Sequence, residues 1–323
     1  MNRFELVRAQ STTQARELAA ERPGSVLKAG GIDLLDHLKE HLVEPPRLVD
    51  LKTIPGLASI TTEKDGSLKI GALATLAQVA AHAGVKASHP ALARACGETA
   101  SPQIRNVATI GGNLLQRPRC WYYRLESYKC FKKGGDVCFA VAGENRYHVL
   151  FGGGPAFAPH PSNAAVPLVA YGASFVIDGP KGGRVVPASD FFLLPASDPT
   201  RENVLQPDEL LKEIRVPAAA GWKSAYYEVR ERAAFDWPLV SAAIAIKTSG
   251  GIVKQARVVL GQVATIPWRS AAAEKALLGK AVGAASAEAA GKAAVEGAQP
   301  MSDNGYKVDL TATLVRRTVM TLA

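Results

Sequence analysis

The sequence predicts an α+β chain: two α/β segments in series, then a smaller C-terminal α/β domain that joins an antiparallel sheet to helices. Three observations carry this. From Phe4 to Leu51, short apolar runs alternate with helical stretches in a βαβαβ-like rhythm. A second alternation of strand and helix starts near Leu57. Beyond a linker between Pro195 and Pro207, four apolar or alternating runs precede an alanine-rich stretch from Ser270 to Ala298. At 323 residues the chain is long enough for more than one core. The expected divisions are 1–55, 56–200 and 205–323.

In order, Phe4 to Val7 reads as a strand, and Ser11-Thr12-Thr13 opens a helix that Pro23-Gly24 stops. Ser25 to Ala29 is a short buried strand, Asp33 to Lys39 a helix and Arg47 to Leu51 a strand. Leu68 to Ala72 is a strand, followed by helices over Thr75 to Ala81 and His89 to Cys96. Residues 117–163 are aromatic, basic and glycine-rich without periodicity, the mark of a functional loop. Ala164 to Ala173 reads as a helix, and Ser174 to Ile177 and Arg184 to Val186 as a hairpin around Gly179-Pro180-Lys181-Gly182-Gly183. Leu211 to Val216, Ser224 to Val229, Val240 to Thr248 and Val253 to Leu260 are expected to form one antiparallel sheet. Gly279, Gly283 and Gly291 divide the alanine-rich helices, and Thr313 to Val319 is a final helix.

Net charge is +9, but the basic residues are spread out, with one concentration between Arg105 and Lys133. That distribution favours a docking surface or an anionic cofactor over nucleic acid. No apolar run approaches the roughly 18 residues that cross a bilayer. Met1 to Glu5 lacks a signal pattern, so the expected location is the cytoplasm, or export in folded form with a signal-bearing partner. There is no HExxH and no Ser-His-Asp arrangement, and no side chain is expected to act as a catalytic base.

Two diglycine bends stand out: Lys28-Ala29-Gly30-Gly31-Ile32-Asp33 and Thr109-Ile110-Gly111-Gly112-Asn113. Paired glycines let backbone N–H groups approach an anion with no Cβ in the way. Each bend also reads as a plain tight turn. Together they suit one long ligand with a diphosphate at its middle, and neither is the GxGxxG of the dinucleotide fingerprint.

Around these bends the chain resembles the flavin-binding medium subunit of the molybdenum hydroxylases, the xanthine dehydrogenase and bacterial three-subunit aldehyde oxidoreductase group. The segments that carry the resemblance are Lys28 to Leu35, Ile70 to Leu76, Ser101 to Leu114, Arg119 to Tyr122, Pro159 to Asn163 and Phe235 to Ser241, in family order over nearly the whole chain. It implies a PCMH-type FAD-binding fold of two subdomains, with FAD extended between them and a smaller C-terminal domain. It assigns Lys28, Ala29, Gly30, Gly31, Ile32, Asp33, Leu34, Ser101, Thr109, Gly111, Gly112, Asn113, Ser162 and Asn163 to the flavin. Ser162-Asn163 matches a motif whose second place is usually Asp; it also reads as a helix N-cap before Ala164. Trp237 either covers a flavin face or is a buried core residue. Glu228 stands where the family run has Lys.

The resemblance also places Cys120, Cys130 and Cys138 at ligands of a [4Fe–4S] cluster, an assignment that suits thiolate chemistry. Neighbouring Arg and Lys residues would favour thiolate formation. The fourth ligand falls at Ala156, which cannot coordinate metal, so a cluster, an incomplete cluster and no cluster all stand. Cys96 reads as a small buried residue; His148 and His160 are candidate unusual ligands or ordinary polar residues.

The function implied is electron transfer. A large subunit carries the molybdenum cofactor, a small [2Fe–2S] subunit passes electrons to FAD in this chain, and an external acceptor receives them. Two other readings remain: a stand-alone flavoprotein oxidoreductase, and a non-catalytic scaffold with zinc at the cysteines.

Overall fold

The computed structural model describes residues 1–233 and 235–323. The first unit comprises β1 (Glu5–Arg8), α1 (Thr12–Ala20), β2 (Val26–Lys28), α2 (Ile32–Lys39) and β3 (Arg47–Asp50). Its strands run parallel in the order β1-β3-β2, as the alternating rhythm requires. Ser11 starts α1 by accepting the Gln14 N–H on its hydroxyl. Ala15 on α1 packs with Val49, Leu51 and Ile54 beneath the sheet. Strand β2 is half-buried rather than buried, because it forms an edge.

The second unit has β4 (Ile60–Thr62), β5 (Leu68–Gly71), α3 (Leu76–Ala81), α4 (Ala83–Ser88), α5 (Pro90–Glu98), α6 (Pro102–Arg105) and α7 (Ile110–Leu114). After the aromatic segment with its single short helix α8 (Trp121–Arg124) come α9 (Ala165–Tyr171), β6 (Ser174–Asp178), β7 (Arg184–Pro187), α10 (Ala188–Phe191) and β8 (Leu210–Val216). The sheet is antiparallel in the order β4-β5-β8-β6-β7. Strand β8 was expected in the C-terminal sheet and lies here instead, between β5 and β6, with Ile214 opposite both Ile70 and Phe175. Its alternation marks a strand but says nothing of which sheet takes it.

The C-terminal sheet contains β9 (Trp222–Val229), β10 (Val240–Ser249), β11 (Ile252–Gly261) and β12 (Trp268–Arg269), in the order β12-β11-β10-β9. Strand β10 is buried on both faces from Val240 to Ile246. Ala243 joins the core that contains α9, while Ala242, Ile244 and Ile246 join the core under α11 (Ala271–Leu277), α12 (Ala284–Ala294) and α13 (Tyr306–Met320). Gly279 and Gly283 separate α11 from α12, but Gly291 does not break a helix. It sits inside α12, where a Cβ would stand 2.5 Å from the Ala312 carbonyl oxygen. Its smallness brings α12 against α13. Among the described residues no helix is long and apolar enough to cross a membrane.

Candidate functional site

The two diglycine bends meet. A Cβ on Gly30 would lie 2.1 Å from the Val107 carbonyl oxygen and 3.3 Å from the Ala108 Cα, immediately before Thr109. Only glycine allows the backbones to come this close. Gly31 has φ +81 and forms the N-cap of α2, a backbone region that other residues enter at a cost. Among the described residues the N–H groups of Gly30, Gly31, Ile32, Asp33 and Leu34 have no protein acceptor. They belong to the bend and the first turn of an eight-residue helix, where unpaired donors and the helix dipole favour an anion.

The second bend is built differently from what its glycine pair suggests. Ile110 N–H donates to Ala74 O, Gly111 N–H to Ala72 O, Asn113 N–H to Thr109 O and Gly112 N–H to the Thr109 hydroxyl. These amides are already satisfied. Thr109 is the N-cap of α7, and Gly111 is glycine because a Cβ would stand 2.8 Å from Ala72 O. Among the described residues the donors left over at this bend are the Thr109 N–H and hydroxyl hydrogen and the Asn113 side-chain NH2 group. Ser101 caps α6, accepting Ile104 N–H.

Ser162 and Asn163 join this bend to the C-terminal sheet. Ser162 donates to Asn113 Oδ1 (2.7 Å) and accepts Ala165 N–H (3.0 Å), so it orients Asn113 and also caps the start of α9. Asn163 donates to Glu228 Oε2 (2.6 Å), which also accepts the Tyr226 hydroxyl (2.6 Å). Arg230 Nε lies 3.1 Å from Glu228 Oε1. Burial pushes the Glu228 pKa up to about 7, against the pull of Tyr226 and Arg230. The carboxyl group absent at Asn163 is therefore supplied, buried, by Glu228 on β9.

Asp33 turns away from the free amides toward the aromatic segment. It accepts Arg117 N–H (2.8 Å) and pairs with Arg124 (2.8 Å) and Arg119 (3.0 Å), while Arg124 and Arg119 also reach Asp36. Burial opposes its charge, but Arg119 and Arg124 outweigh it and hold its pKa below the usual carboxylate range. Trp237 is 42% exposed and is no core residue. The Arg119 guanidinium lies over its ring at 4.2 Å. This link between α2, Arg119 and Trp237 was not visible in the sequence, whose only hint was the local excess of basic residues.

The cysteine segment is held to the C-terminal domain. Asn145 pairs with Ser302 and Asp303, Asn304 donates to the His148 and Val149 carbonyls, and the buried Lys307 ammonium donates to the carbonyls of Tyr147, His148 and Gln262. Cys120, Cys130, Cys138 and Ala156 line one small cavity walled by aromatic rings. Among the described residues no three His, Cys, Asp or Glu side chains converge tightly enough to hold a single metal ion.

At Cys120 the expected thiolate activation by nearby cations is not what the structure shows. Arg117, Arg119, Arg124 and Lys132 are committed to Asp33, Asp36 and Glu202, and burial pushes the Cys120 thiol up to about 12. His148 Nε2 lies 3.3 Å from Cys120 Sγ. Cys96 is buried in α5, and His160 is buried against Phe192; neither lines the cavity.

Residues 2–219 match the model for the FAD binding domain in molybdopterin dehydrogenase, and residues 225–322 that for the CO dehydrogenase flavoprotein C-terminal domain. The chain is 35% identical to the aldehyde oxidoreductase FAD-binding subunit PaoB of Escherichia coli K12, over 95% of this chain and 94% of that one. It is 30% identical to the carbon monoxide dehydrogenase medium chain of Hydrogenophaga pseudoflava, over 98% and 95%. Its fold matches a solved structure of carbon monoxide dehydrogenase from that organism lacking the Mo-pyranopterin moiety, with TM-score 0.78, 31% identity and coverage of 99% and 97%. With its diglycine bends in contact and both domain models matched end to end, the chain belongs to the FAD-binding medium subunits of the molybdenum hydroxylase family.

Proposed function

We propose that this chain holds FAD at its two bends as the electron-transfer subunit of a molybdenum-containing hydroxylase or dehydrogenase. It takes electrons from a small [2Fe–2S] subunit, sits beside a large molybdenum-cofactor subunit, and delivers to an external acceptor. The observation that carries the reading is the row of free N–H groups from Gly30 to Leu34, set by Gly30 against the backbone that leads into Thr109.

FAD, when bound, supplies the redox chemistry; the chain supplies placement. The first-turn amides of α2 would hold the diphosphate, with the Thr109 hydroxyl and the Asn113 NH2 group as further donors. Ser162 fixes Asn113, and Asn163 with Glu228 closes the side toward β9. Lys28, 3.6 Å from Asp50, and Ala29 bring the chain into the bend. The first two sheets serve as the two FAD subdomains, and the C-terminal domain begins after β8 rather than at residue 205. The cavity at Cys120, Cys130 and Cys138 takes a [4Fe–4S] cluster, and the complex works in the cytoplasm.

The visible spectrum of the purified protein tests this, together with the identity of co-purifying chains. Stoichiometric flavin and a large molybdenum-containing companion support the reading. A colourless protein purified without companions would sink it.

A further inference from the structure

The cavity at the cysteine segment presents three thiols beside the methyl group of Ala156. Ala156 is 3% exposed and stands on its wall beside Cys120, Cys130 and Cys138. The local backbone holds it there: Gly154 N–H donates to Ala156 O, and Val149 N–H to Phe157 O, both at 3.2 Å. A Cβ on Gly153 would stand 2.3 Å from the Phe157 ring, so the loop is packed tightly against the residue that follows Ala156.

Two other donors nearby, Lys132 and His148, are committed or displaced. Lys132 on the wall pairs with Glu202 at 2.8 Å and reaches the Arg201 carbonyl. His148 touches Cys120 Sγ but does not line the cavity, and the Asn304 and Lys307 bonds to its carbonyl hold its backbone in place.

Resting on the reading that this cavity takes an iron–sulfur cluster, we infer that three cysteines alone hold it and that the iron facing Ala156 has no ligand from this chain. That position is open to a small exogenous ligand, a hydroxide or a low-molecular-weight thiol. It is also the iron that oxidation removes. An oxidant such as ferricyanide takes one electron, one ferrous ion leaves, and [4Fe–4S]2+ becomes [3Fe–4S]+. Ligand number matters here because the protein's thiolates are what hold such centres in place.

The test uses full-length protein reconstituted anaerobically with ferrous iron and sulfide. Iron and sulfide are counted first. Electron paramagnetic resonance is then recorded after ferricyanide, after return of ferrous iron, and in the reduced state with and without 2-mercaptoethanol. The wild type is expected to show a three-iron signal that ferrous iron reverses, and a reduced-state spectrum that the thiol alters. Ala156→Cys is expected to survive ferricyanide intact and ignore the thiol, while Ala156→Ser, matched in size, behaves as wild type. His148→Ala is expected to keep the ferricyanide-labile iron and the thiol response of the wild type.

A wild-type cluster as resistant to ferricyanide as Ala156→Cys overturns the inference. So does a ferricyanide-labile iron and thiol response that appear only in His148→Ala and not in the wild type, which assigns the fourth position to that histidine; this arm decides the matter even where Ala156→Cys folds poorly. Absence of iron and sulfide from the reconstituted wild type overturns the cluster reading beneath the inference, and is seen before any oxidant is added.

Discussion

Gly30 packs directly on the Val107 carbonyl, in a space where a Cβ would come within 2.1 Å of the oxygen. The neighbour is backbone, so it cannot rotate aside. Gly30→Ala should separate the bends, costing about 1–3 kcal/mol through overpacking, and the purified protein should lose flavin. Thermal denaturation and the flavin-to-protein absorbance ratio measure both, and full FAD content in this variant would remove the contact from the binding site.

Gly112 differs because it is exposed and a Cβ there meets only the Thr109 hydroxyl, at 3.1 Å. Gly112→Glu should therefore keep the fold while placing a carboxylate at the flavin diphosphate. The expected result is a near-wild-type melting temperature with flavin retention abolished. Stoichiometric FAD in the variant would refute that placement.

Asp33→Ala removes the carboxylate shared by Arg117 N–H, Arg119 and Arg124. The two guanidiniums then keep only Asp36 as a carboxylate partner, and it is half exposed. Loss of charge-assisted hydrogen bonds at a partly buried site costs about 2 kcal/mol. The melt should shift accordingly, and Cys120 should become more accessible to an alkylating reagent. An unchanged alkylation rate would show that α2 does not anchor this segment.

Four buried histidines set a pH dependence. Burial presses His37 and His148 down to about 4, His160 to about 3 and His89 below its ordinary range, each from the usual 6.5. A depressed folded pKa contributes stability that is complete above the unfolded value. It is lost as pH falls from 6.5 toward the folded value, because the unfolded chain binds protons that the folded chain refuses. The melting temperature should decline between about pH 6.5 and about pH 4, and His160→Gln should flatten the slope. A level profile for the wild type across that interval would contradict the burial of these rings.

Much of the first unit was legible because each element carries its own local signal. Ser11 caps α1, Pro23-Gly24 ends it, and β2 leads straight into the Gly30-Gly31 bend. Pairings made across long stretches of chain were not. Leu210–Val216 alternates like any half-buried strand, and only the folded molecule places Ile214 opposite Ile70 and Phe175. Gly291 looked like a breaker because sequence distinguishes poorly between a glycine that ends a helix and one that lets another helix approach. At the site, the glycine pairs pointed to two stretches of backbone that meet, yet Gly111 and Gly112 proved to be satisfied within the protein while, among the described residues, the α2 amides are free. Asn163 and Glu228 were read as separate departures from the family pattern, although they form one hydrogen-bonded pair.

Lys307 and Asn304, close to the last helix, hold the backbone of residues 147–149 more than 150 positions upstream. During synthesis on the ribosome, the loop that carries Cys120, Cys130 and Cys138 therefore emerges long before the residues that give it its final shape. Closure of that loop therefore belongs to a late stage of folding, after translation has delivered the closing helix, and a truncated or stalled product would leave it without these bonds.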